Sequence, residues 1–138
     1  MKIVQVIFFV LALAFWHQPT IAQKIYDYRV KTASNSAERG KMLDIIRKKL
    51  RNDYSQEFVF SVRKLKISSG FAWFQGEVSR KDGKPVKVGL DDDCCHVEAL
   101  LKQKGGNWMI VQMGAFSTDV WWEDLSNTTG APQSIFLD

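Results

Sequence analysis

The sequence predicts an α+β fold, with one N-terminal helix packed on a curved antiparallel sheet of three to five strands. Two patterns carry this expectation. Apolar residues recur at helical spacing in a single stretch, Met42, Leu43, Ile45, Ile46 and Leu50. From Glu57 to Phe116 the chain instead breaks into β-branched and aromatic runs separated by Gly, Ser, Asp and Asn. The length supports one compact domain, read as 23–138.

The first 22 residues stand apart. Lys2 precedes an apolar run from Ile3 to Trp16, broken only by Gln5, and a polar stretch ending in Ala22 follows. That is the layout of a secretory signal peptide. The run is shorter than the ~20 apolar residues a membrane span needs. The expectation is therefore export to the periplasm or extracellular space, with cleavage after Ala22 leaving about 116 residues and no membrane span.

In the remainder, Lys24 to Thr32 reads as a short strand or extended arm. Asn35 and Glu38 match the outline of a capping box before a helix at about 36–52. Asp44 and Lys48 are spaced to pair on that helix, and Arg47, Lys48, Lys49 and Arg51 suit its C-terminal dipole. The strand Glu57 to Ile67 places Phe58, Phe60 and Val62 on one face and Leu65 and Ile67 on the other, which predicts a bulge near Arg63. After the turn Ser68-Ser69-Gly70, the strand Phe71 to Arg80 sends Ala72, Phe74, Gly76 and Val78 to one face and Phe71, Trp73, Gln75 and Glu77 to the other. Asp82-Gly83 is a hairpin signal, with Lys84 to Leu90 as the start of a returning strand.

Cys94 to Gln103 reads as a strand although Glu98 to Lys102 also favour helix. Trp108 to Phe116 reads as the central strand, with Val111 in the core. Ser117 or Thr118 is placed to cap a short helical turn reaching Leu125. From about Ser126, Thr128, Thr129, Gly130 and Pro132 read as a loose tail.

The stretches Met42 to Arg47, Phe58 to Leu65, Gly70 to Phe74, Ala99 to Leu101 and Trp108 to Val111 resemble small exported bacterial proteins of unassigned function. The physical picture that goes with them is a cystatin-like or small NTF2-like curved sheet. The shared motifs are structural, so the resemblance implies the fold and export and brings no active residue. Fold alone does not license function.

Charge excludes a nucleic-acid-binding profile. Nineteen Lys and Arg against 15 Asp and Glu give +4, and Lys2 belongs to the leader, leaving +3. Arg63, Lys64, Lys66, Lys81, Lys84 and Lys87 read as solvated charge before they read as an anion-binding surface. Asp91-Asp92-Asp93-Cys94-Cys95-His96 concentrates ligand-type residues, but consecutive side chains converge poorly on one ion, and no metal or cofactor is expected. Cys94 and His96 lie about 7 Å apart along a strand, too far for a nucleophile pair. Glu77, Glu98 and Asp119 have no spacing that favours paired-carboxylate chemistry.

The adjacent Cys94 and Cys95 are the candidates for thiol chemistry. On a strand, one thiol would be buried and one outward; an intermolecular bridge and a vicinal redox disulfide are the alternatives. The candidate partner surface is Phe71, Trp73, Trp121 and Trp122, unless the Trp-Trp turn folds over the open sheet face as a lid. The expected function is a small non-catalytic binding or interaction module of the cell envelope, its partner a protein or small ligand. The alternative is a ligand-binding or enzymatic NTF2-like pocket between helix and sheet.

Overall fold

A computed structural model describes residues 22–138. The signal peptide expected over 1–22 lies outside them except for Ala22. The chain forms β1 (Tyr26–Asp27), α1 (Ser36–Tyr54), β2 (Phe58–Ser68), β3 (Phe71–Arg80), β4 (His96–Lys104), β5 (Asn107–Ala115), the short helix α2 (Leu125–Thr129) and a 3₁₀ turn at Gln133–Ile135. The strands form one antiparallel sheet in the order β1-β2-β3-β4-β5. This corrects the expectation of an N-terminal helix on a sheet: a strand opens the described chain, α1 sits between β1 and β2, and the fold is mostly a five-stranded antiparallel sheet. The two-residue β1 is recruited through backbone pairing of Tyr26 and Asp27 with Ile67 and Lys66, a partnership that its own pattern does not announce.

Helix α1 buries Met42, Leu43, Ile46 and Leu50 against the inner sheet face, where Leu65, Phe74, Val97, Ala99 and Leu101 meet them. Its ends differ from expectation. Asn35 holds the N-cap position, but its side chain bonds the Thr32 amide and the Val30 carbonyl instead of capping. Glu38, freed from a capping box, accepts from the Tyr28 hydroxyl and the Trp108 indole. Asp44 pairs with Arg47, not Lys48. The helix runs to Tyr54 and closes at Ser55, in the left-handed region at φ 54°, with its amide on the Arg51 carbonyl.

Strands β2 and β3 carry the expected bulge: pairing slips between Val62 and Lys64, so Phe58, Leu65 and Ile67 all reach the inner core. A second bulge in β5 was not expected. Leu100 faces Gln112 and Leu101 faces Ile110, which leaves Val111 as the extra residue. Trp108 and Ile110 before it, and Met113 and Ala115 after it, pack on the core, while Val111 is 42% exposed. Val111 is thus no core residue and β5 no central strand. In a run of consecutive hairpins the last strand lies at the edge, and β3 is the middle one.

The Asp82-Gly83 turn forms, with the Gly83 amide on the Arg80 carbonyl. The chain after it does not return as a strand. Residues 85–95 form a loop, held where Gln56 donates to the Lys87 carbonyl and accepts from the Lys87 amide, both at 2.8 Å. The returning strand is β4, and it hairpins into β5 through Gly105 and Gly106, both at positive φ, as a tight two-residue turn demands.

Past Phe116 the chain crosses to the outer sheet face. Ser117 accepts the Asp119 amide, a turn spans Trp121 to Asp124, and α2 starts only at Leu125. The stretch from Ser126, expected to be loose, is packed: Leu125, Ala131 and Ile135 are buried with Phe71, Trp73 and Leu100 in a second core. Three apolar anchors spread over eleven residues give no periodic signal, which is why sequence reading missed them. Among the described residues no helix is long and apolar enough to cross a membrane.

Candidate functional site

The candidate partner residues come together on the outer sheet face. Strand alternation directs Phe71 and Trp73 away from α1, opposite Lys102 and Leu100 of β4. The chain after β5 then lays Trp121, Trp122 and Phe136 over them. Trp73 lies 5.9 Å from Trp121, 5.7 Å from Trp122 and 4.9 Å from Phe136, between ring centroids. Trp121 and Trp122 meet edge to face. Trp73 is fully buried and Phe71 nearly so, while Trp121 and Trp122 remain half-exposed. Phe71 and Trp73 therefore lie in a second core, and Trp121 and Trp122 belong to the partly exposed cover over it. A strip of β2 ties the cover down: Lys64 donates to the Phe136 carbonyl and to Asp138, and Lys66 to the Leu137 carbonyl.

The cover is pinned at its start beside β4. The Phe116 amide bonds the His96 carbonyl, the Asp93 amide bonds the Phe116 carbonyl, and His96 Nε2 bonds the Ser117 carbonyl oxygen, which requires the proton on that nitrogen. Phe116 itself is buried at φ 60°, a conformation uncommon for a bulky residue. Its ring is held edge-on to Tyr54, 4.9 Å away.

The sequence set Glu98 on the face opposite the apolar alternation of its strand, but not as a buried residue. It faces Gln75 on one side and Gly114 on the other, and the residue is 6% exposed. Burial raises its carboxyl above the ordinary glutamate value; His96 and the Trp121 indole oppose that rise. The indole N–H nevertheless falls short of hydrogen-bond geometry. Four buried side-chain polar atoms lack partners among the described residues: Ser68 Oγ, Trp73 Nε1, Trp121 Nε1 and Ser134 Oγ. Ser68 pairs across the sheet with the outward Phe71, and Ser134 lies in the 3₁₀ turn of the cover. Among the described residues, all four thus belong to the outer layer.

The remaining candidates do not assemble into a reactive group. Cys94 and Cys95 are joined to each other as a vicinal disulfide across a cis peptide bond, and neither is a free thiol. They sit in the turn before β4, so the strand alternation expected to separate them does not apply. Asp92 accepts the Gly89 amide and closes the turn that leads to them. Glu77 pairs with Arg63 at the surface. Among the described residues no three His, Cys, Asp or Glu side chains are grouped to hold a metal ion. No family model, curated protein or solved structure matches this chain.

Proposed function

We propose that this protein is a small exported, non-catalytic binding module of the cell envelope, and that its partner engages the aromatic cover on the outer sheet face. The observation that carries this reading is that, among the described residues, the buried side-chain polar atoms without a partner all lie in that layer. Folded domains leave few such groups, and each costs about 1–3 kcal/mol when unpaired. A partner that shifts the cover and supplies acceptors to the indole N–H groups of Trp73 and Trp121 recovers that energy. The half-exposed Trp121 and Trp122 offer the large, rigid apolar area typical of binding hot spots. The alternative pocket between helix and sheet has less support, because Met42, Ile46, Leu65 and Phe74 fill that space and are fully buried.

The test is capture from envelope extract by the mature domain beside a Trp121→Ala, Trp122→Ala double variant, both shown folded by circular dichroism. A specific partner retained by the wild type and lost by the variant is expected. Equal capture by both forms would remove the cover from the interface.

A further inference from the structure

On the helix side of the sheet, a cleft of about 340 Å³ opens between β1, the first turn of α1 and the β2–β3 turn. Tyr26, Tyr28, Trp108, Gln103 and Glu38 line it, and among the described residues Glu38 is the only charged one in the lining. The Glu38 carboxylate is held from two sides: Oε2 accepts from the Tyr28 hydroxyl and Oε1 from the Trp108 indole, each at 3.2 Å. Each oxygen keeps a further lone pair, since a carboxylate accepts about four hydrogen bonds. The tyrosine ring at the mouth already carries a cation, for the Lys24 ammonium sits 4.7 Å from the centroid of Tyr26.

We propose that this cleft binds a small organic ammonium ion, with Glu38 as its counter-charge and the rings of Tyr26 and Tyr28 as its walls. A carboxylate set among aromatic faces attracts cations through both the charge and the ring quadrupoles, and rejects anions. Lys24 acts as an internal competitor at the mouth. The site stands apart from the outer-face reading, because the two lie on opposite sides of the sheet.

The probe is butylammonium chloride, titrated into ¹⁵N-labelled protein at constant ionic strength. The Trp108 indole N–H is the reporter because it bonds Glu38 directly. A saturating shift of that resonance is expected, with the Trp73, Trp121 and Trp122 indoles still. Glu38→Gln keeps an acceptor for Trp108 and removes the charge, and weakens binding at least ~10-fold. Tyr26→Ala, at an exposed ring, weakens it about three-fold, and Lys24→Ala tightens it by a similar factor. The proposal is overturned if the shift never saturates, if 1-butanol produces the same shift, or if Glu38→Gln binds as the wild type does.

Discussion

The indole of Trp121 occupies the space that a β-carbon would need at Gly114, so the cover rests directly on the backbone of the edge strand β5. This glycine is present for close approach, because only hydrogen leaves room for the ring. Gly114→Ala is expected to push Trp121 off the sheet and to destabilise the domain by about 1–3 kcal/mol. Urea unfolding measures the stability, and acrylamide quenching of tryptophan reports the loosened cover. Unchanged quenching together with unchanged stability would show that the ring does not depend on this contact.

Across the same ladder, Gly114 faces Glu98, whose burial raises its carboxyl above the ordinary glutamate value. The sign of the consequence is fixed by linkage. A carboxyl whose folded-state value lies above its unfolded value binds its proton more tightly when folded. Its contribution is fully present below the ordinary glutamate value of 4.5 and is lost as pH rises through the raised value. Wild type is therefore expected to lose stability relative to Glu98→Gln as pH climbs from about 4 toward neutrality. Parallel stability curves for the two proteins over that range would contradict the raised carboxyl.

Trp73 was legible as an outward-facing residue but not as a core residue, and the distinction decides how it behaves on substitution. With no exposed surface and three aromatic neighbours, Trp73→Ala is expected to cost about 3–5 kcal/mol, as large core truncations do. Trp122→Ala, at a half-exposed ring, is expected to cost far less. Thermal unfolding of the two single variants makes the comparison. Equal losses would mean that the cover is as rigid as the sheet beneath it.

Local patterns were readable where a single element answers to its own periodicity. The stripe from Met42 to Leu50 located α1, alternation bounded β3 at Phe71 and Arg80, and the change of parity at Arg63 announced the first bulge. The run Met109-Ile110-Val111 is apolar throughout, so its parity change at Val111 leaves no mark, and a strand's place in a sheet depends on its partners. The Asn35 and Glu38 capping pattern was real as a pattern but lost to competitors, the nearby Thr32 and Val30 backbone for Asn35 and the distant Tyr28 and Trp108 for Glu38. Glu98 and the packed C-terminal segment share one cause. Their burial comes from residues that meet only after folding, and no window of sequence contains both sides.

Gln56 shows how much such a distant contact can organise. Its side-chain amide pairs with both backbone groups of Lys87, as a strand neighbour would, and so fixes the loop that leads from β3 to the Cys94–Cys95 turn and β4. Gln56 is itself buried while Lys87 is exposed, so water repairs part of any loss on the loop side. Gln56→Ala is expected to cost about 1–2 kcal/mol, the net worth of its hydrogen bonds to Lys87 and Tyr54. Gln56→Glu keeps an acceptor for the Lys87 amide but loses the donor to the Lys87 carbonyl. Amide hydrogen exchange separates the two variants: protection at Lys87 is expected to vanish in Gln56→Ala and to persist in Gln56→Glu. Retained protection in the alanine variant would mean that the loop is held by Val86 and Val88 against the core, and that Gln56 merely follows it.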